Sequence, residues 1–159
     1  MASDEQLSPE TSSGPPPGHP LRVLLDLNVV LDVLQRREPH FEASAKVWAA
    51  VENGPLEGCI AAHGVTTLFF LLTQHLDWTA AIAAIHDLVA VFSVAKVDEG
   101  VIHSALSYGW RDFEDAVQMA AAVAAQADFL VTRNPKDFKA GPVAVLQPAE
   151  ILAFLKPPS

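Results

Sequence analysis

The stretch Asp112 to Phe138, DFEDAVQMAAAVAAQADFLVTRNPKDF, decides how the rest of the chain is read. It opens on Asp112, a natural N-cap, with Glu114 and Asp115 in the first turn, where carboxylates favour a helix start. An alanine-rich segment runs from there to about Ala127, and its small side chains suit close packing on a sheet. Phe129-Leu130-Val131-Thr132 is then a short apolar run of the kind a buried parallel strand needs. It breaks at once into the polar segment Arg133-Asn134-Pro135-Lys136-Asp137-Phe138. A helix that feeds a buried strand is the working unit of a parallel sheet covered on both faces.

The same alternation extends in both directions. Towards the N-terminus, Val23-Leu24-Leu25 is a second buried-strand run, ended by Asp26, and Asn28 to Arg36 shows one apolar helical face. A helix is predicted over His40 to Glu52, with Phe41, Ala45, Trp48 and Ala49 inward and Gly54 as its stop. Gly58 to Ala61 reads as a strand. Helices are predicted from Val65 to His75 and, capped by Asp77, from Trp78 to Val91. Phe92 to Ala95 is a short strand, and Asp98 caps a helix that ends near Gly109. Beyond Phe138, Val143 to Leu146 is a fifth strand and Pro148 opens a last helix to Leu155. The fold class is therefore α/β, a three-layer α/β/α sandwich around a parallel sheet of about five strands. Residues 1–20, rich in Ser, Pro, Gly and acids, are expected to be a disordered tail, leaving one domain over residues 21–156.

Composition narrows the function classes. The chain has 159 residues and a formal charge of −9, and the first twenty residues contain three acids and no Lys or Arg. From Leu21 onward 16 acids face 10 bases, so a broad basic surface for nucleic acid is not expected. A metal-dependent nuclease is compatible with that balance, because a cation neutralises the acids of its site. No apolar run has the length of a membrane span, and the N-terminus has no secretory signal. The single cysteine, Cys59, lies in an apolar run and has no partner for a disulfide. These features predict a cytoplasmic protein without a membrane segment.

In an open parallel sheet, ligands sit at the carboxyl ends of the strands. That rule selects Asp26-Leu27-Asn28 after strand one, the segment from Thr132 to Phe138 after strand four, and Asp112 to Asp115 at the start of the intervening helix. Phosphodiester hydrolysis needs an activated water and charge neutralisation at the phosphate, and a divalent cation held by carboxylates supplies both. Mg²⁺ or Mn²⁺ takes oxygen ligands and commonly only one or two protein carboxylates. Asp26 and Asp115 are the expected ligands, with Glu114 as a lesser candidate because it lies about 100° around the helix from Asp115. Asn134 and Asp137 are expected to orient ligands or waters. Each also has a bland reading: Asp26 as a turn residue, Asp112 and Asp115 as helix-start acids, Asn134 and Asp137 as turn residues. For Asp112 the helix cap is preferred. Arg133, Lys136 and Lys139 flank the proposed site, with Arg111 near the other acids, as phosphate contacts or as solvated loop charge. The six histidines show no metal-ligand spacing; His63 reads as a packed or exposed loop residue. Trp48, Trp78 and Trp110 read as core or interface, not as base-stacking platforms.

Three segments together resemble one family. Arg22-Val-Leu-Leu-Asp26-Leu-Asn28-Val-Val-Leu-Asp32 is similar to the opening strand and helix of PIN domains, Asp112-Phe-Glu-Asp115-Ala-Val-Gln118 to their third acidic motif, and Val131-Thr-Arg-Asn134-Pro-Lys-Asp137-Phe138 to their fourth. Order, spacing and the strand before each motif agree from Arg22 to Leu155. The resemblance implies an α/β/α fold and metal-dependent endoribonuclease activity. It also implies kinship with toxins of the VapC type, which pair with an antitoxin and often form homodimers. By position, Asp26 and Asp115 match the first and third acids, Asn134 the fourth, and Asn28 a frequent polar residue beside the first; Thr132 ends the strand of the fourth motif and supports it. Aligning Ile60 to Leu68 on the second motif places Thr67 where the family usually has Glu. With Thr67 and Asn134 neutral, weaker metal binding, a site completed by substrate, or compensation by Glu114 or Asp137 is expected. The competing function is a catalytically degenerate PIN scaffold that binds RNA or a partner protein. A phosphoaspartate receiver or HAD-type phosphatase fits less well, because Asp26-Leu27-Asn28 lacks the paired acids those sites need.

Overall fold

Short, largely apolar runs become the five strands. They are β1 (Leu21–Leu25), β2 (Leu56–Ala61), β3 (Ser93–Ala95), β4 (Phe129–Val131) and β5 (Ala144–Leu146). Of these, β1 and β4 in the middle of the sheet are the ones buried most evenly along their length. The structure, a computed structural model, describes residues 19–138 and 140–155. All five strands are parallel and lie in the order β3-β2-β1-β4-β5. Parallel neighbours need crossovers, and helices provide them: α1 (Leu27–Leu34), α2 (Phe41–Asn53), α3 (Ala62–Leu72), α4 (Trp78–Val91), α5 (Glu99–Ser107), α6 (Phe113–Ala124) and α7 (Pro148–Leu155).

Alternation along β1 divides the core. Val23 and Leu25 face one layer with Val29, Val30, Val47, Leu68, Leu88 and Ile151, so α1 to α4 and α7 cover that side. Leu24 faces the other layer with Cys59, Ala61, Val101, Ala105, Ala116 and Ala120 from the sheet, α5 and α6. Helix α6 buries eight consecutive residues, Asp115 to Ala122, because its alanines let the backbone lie close to the strands. The α/β/α sandwich with a five-stranded parallel sheet is as the sequence implied.

Several boundaries differ, each for a tertiary reason. Helix α3 begins at Ala62, directly after β2 and three residues before Val65; Gly64 does not break it and is buried there, where a Cβ would lie 3.7 Å from Ile60 Cγ2. Strand β2 starts at Leu56, whose buried side chain and pairing with Leu21 extend the ladder. Helix α2 is rotated from the expected face: Ser44, Val47 and Val51 are buried, whereas Ala49 is exposed. The cause is polar. Asp32 on α1 is fully buried and accepts a hydrogen bond from the Ser44 hydroxyl at 3.3 Å, so a serine turns inward. Trp48 packs edge-on against Phe92 with ring centres 4.9 Å apart. The tail expected over residues 1–20 falls, up to Gly18, outside the described residues, as does Lys139. No helix among the described residues is long and apolar enough to cross a membrane.

Candidate metal centre and active site

Because every strand runs the same way, the residues that follow β1, β2 and β4 emerge at one edge of the sheet. Asp26 leaves β1 with its backbone N–H still bonded to the Val131 carbonyl at 2.8 Å, so its position is set by the ladder itself. The Thr132 hydroxyl, fully buried at the end of β4, donates to Asp26 Oδ2 at 2.8 Å. Asn28 donates to that hydroxyl at 3.4 Å, and the Asn134 backbone N–H donates to it at 3.2 Å. Thr132 is therefore a hub that ties the first motif to the fourth.

Gln118 performs the second tie. Its Nε2 donates to Asp26 Oδ1 at 2.9 Å and to both Glu114 oxygens at 2.9 and 3.2 Å, and the side chain is 3% exposed. One amide thus holds a carboxylate on its own helix and another 92 residues away in the chain. His63, in the first turn of α3, places Nε2 3.1 Å from Glu114 Oε1. Neither Gln118 nor His63 was assigned a role from the sequence. The usable signal for Gln118 was its position one turn after Glu114, on the same helical face.

Asp112 caps α6, accepting from the Asp115 N–H at 3.1 Å. It is nevertheless more than a cap, since oxygens of Asp112, Glu114 and Asp115 all lie within 4.8 Å of one another. Glu114 therefore shares the cluster with Asp115 despite their angular separation, because its longer side chain is drawn across by Gln118. Burial raises the Asp115 pKa from 3.8 to about 7, and the charges of Asp112, Glu114 and Asp26 push the same way. Burial also acts to raise Glu114, but hydrogen bonds from His63 and Gln118 outweigh it and hold that carboxyl below its ordinary value.

The donor set fits a small hard cation. The oxygens are close and mutually repelling, and the innermost carboxyl is shifted towards its protonated form, a shift that a bound cation would reverse. Asp112, Glu114 and Asp115 form the tight cluster, and Asp26 joins it through Gln118 and through its influence on Asp115.

Other predicted residues fall around this centre. Thr67 is exposed on α3 and gives its hydroxyl to the His63 carbonyl at 3.2 Å, within its own helix. Asn134, Lys136 and Asp137 are exposed on the loop after β4, the last two in a 3₁₀ turn over Pro135–Asp137. Asp137 lines a cleft of about 520 Å³ with Trp110, Arg111, Asp112 and Phe113. Arg133 points away from that cleft's acids: its Nε lies 3.3 Å from Oδ2 of the buried Asp32. The guanidinium so engaged joins the loop after β4 to α1.

Residues 22–136 match the PIN domain family. Among curated protein sequences none matches the chain. Solved structures with the same fold include VapBC-1 from nontypeable Haemophilus influenzae, with a TM-score of 0.64 at 14% identity over 81% of this chain and 99% of that one. A toxin–antitoxin complex from Klebsiella pneumoniae gives 0.60 at 21% identity over 79% and 97%. VapC20 from Mycobacterium tuberculosis, a sarcin–ricin loop cleaving toxin, gives 0.55 at 17% identity over 68% and 86%. At these identities the likeness speaks for the fold, and the family match covers most of the chain: this protein belongs to the PIN domain family.

Proposed function

We propose that the protein is a metal-dependent endoribonuclease that hydrolyses RNA phosphodiester bonds. The observation that carries this reading is the convergence of Asp26, Asp112, Glu114 and Asp115 at one sheet edge, with Asp115 forced towards its protonated form. A bound Mg²⁺ or Mn²⁺ would activate water and neutralise phosphate charge. Asp26 and Asp115 would hold it, with Glu114 supplying the charge missing at Thr67 and Asn134. Thr132 and Gln118 fix both oxygens of Asp26, so its carboxylate is oriented before any ligand arrives. Asn28 and the Asn134 backbone complete the hydrogen bonds around Thr132. Asn134 and Asp137, at the open side, are placed to orient a water or the substrate, and Lys136 is free to approach a phosphate.

The test is cleavage of structured RNA by purified protein in Mn²⁺, with Asp26→Asn prepared identically. Wild-type cleavage that falls by at least about a hundredfold in the variant is expected, since metal positioning contributes several kcal/mol to such reactions. Equal cleavage by both proteins would refute the assignment.

A second reading is a catalytically degenerate PIN scaffold that binds RNA or protein. It is favoured by Thr67, whose hydroxyl is bonded within its own helix. Calorimetric titration with Mn²⁺ separates the two, because a dead site would take up no metal. A protein partner, an antitoxin or a second copy, is supported under either reading by Phe70, Leu76 and Trp78 around the α3–α4 turn. Phe70 and Trp78 are 63% and 65% exposed, and apolar surface of that kind is usually covered in assemblies.

A further inference from the structure

The cleft beside the acids has a lining that the carboxylate chemistry does not use. Phe113, at the first position of α6, is 44% exposed although it is a large apolar ring. Trp110 lines the same cleft, together with Arg111, Asp112 and Asp137. Trp110 is held from behind, with Tyr108 tilted against it at 5.5 Å and Phe138 edge-on at 6.5 Å between ring centres. It is therefore a braced ring and not a mobile one. Among the described residues Arg111 makes no ion pair. Asp112 belongs both to this cleft and to the carboxylate cluster, so the two are continuous.

Two aromatic rings, a free guanidinium and an adjoining metal-type site match the chemistry of one nucleotide. We propose that the cleft is a subsite for an unpaired nucleobase next to the scissile phosphate, with the base against Phe113 and Trp110 and its phosphate towards Arg111. This rests on the ribonuclease reading and narrows it to RNA whose target nucleotide is unstacked. A base inside a helix offers its faces to its neighbours; only a loop, bulge or single strand can present a face to a protein ring. Asp112 and Asp137 at the rim disfavour a second phosphate there, so the subsite holds one nucleotide and does not continue as a groove. Trp110 packs against the core, in keeping with its sequence reading, and its remaining surface borders the cleft.

The experiment measures binding apart from cleavage. A fluorescein-labelled single-stranded RNA is titrated with full-length protein in Ca²⁺, and gels verify that the strand stays intact. Phe113→Ala is expected to weaken binding by about tenfold, in line with the loss of one base–aromatic stack. Phe113→Trp should restore it. A strand with an abasic nucleotide at the position that contacts the cleft should bind wild type and Phe113→Ala alike, and a blunt duplex should show no dependence on residue 113. Equal affinity of wild type and Phe113→Ala for the single strand would overturn the subsite. So would absence of binding by wild type, as expected if the cleft receives a partner protein's side chain. If the binding pattern holds while no RNA is cut in Mn²⁺, the nuclease reading fails and the subsite stands.

Discussion

A single carboxamide, that of Gln118, decides where two of the four acids point, because its two N–H groups face Asp26 and Glu114 at once. Removing the amide leaves the acids in place but lets them turn apart under their own repulsion. Gln118→Leu is expected to keep the fold and to weaken Mn²⁺ binding by at least about tenfold, as losses of orienting partners around metal ligands typically do. Unchanged affinity by calorimetry would reduce Gln118 to packing. Asp115 offers a second test, in pH. Unfolded, it titrates near 3.8, and folded near 7, so between those values the native chain holds the extra proton. Stability then falls as pH rises through that window. The urea midpoint of metal-free protein should drop between about pH 5 and about pH 7.5, less so in Asp115→Asn, and Mn²⁺ should restore it at the upper pH. At this scale the placement of Asp26, Asp115 and Asn28 near one another was legible in the sequence, since each follows or faces a strand end. Gln118 was not: an amide on an alanine-rich helix has no distinguishing pattern until Asp26 is brought to it from across the sheet. Arg133, read as a phosphate contact or as solvated loop charge, lies against Asp32, and nothing local announces that an acid is buried within its reach.

Elements are joined here by backbone approach as much as by side chains. Gly58 in β2 is a case where the absent side chain matters, since a Cβ there would lie 2.7 Å from Phe92 Cδ1 and 2.9 Å from Val51 Cγ2. Both neighbours are buried, so neither yields easily. Gly58→Ala is expected to cost about 1–3 kcal/mol by overpacking, seen as a lower urea midpoint with Mn²⁺ affinity unaltered. The periodic signal sufficed for the type and order of nearly every element, because strands of a parallel sheet read as short apolar runs. It failed at edges set by contact. The α3 start was displaced because a glycine usually marks a break, yet Gly64 lies buried against Ile60. The α2 face was misjudged because apolar periodicity cannot foresee a serine turned inward by a buried carboxylate.

For the whole molecule the telling quantity is charge, −9 over the chain, combined with few cations near the site. If the chain binds RNA as proposed, Arg111 and Lys136 are the described basic residues placed to meet the strand, and phosphate neutralisation would contribute less than stacking and metal. The salt dependence of RNA affinity should therefore be shallow, with a double-logarithmic slope of about −1.4 for two neutralised phosphates on a single strand. A steep slope, measured by anisotropy over a range of KCl, would reveal a basic surface that the described residues do not contain. The sheet order β3-β2-β1-β4-β5 has one more consequence, in time. The oldest strand sits in the middle, and its Asp26 waits for Gln118 and Thr132, which arrive 92 and 106 residues later. A nascent chain that has not yet emerged past Thr132 owns the first carboxylate without the groups that aim it. Under the proposed nuclease reading, the site stays unfinished until Thr132 has been made.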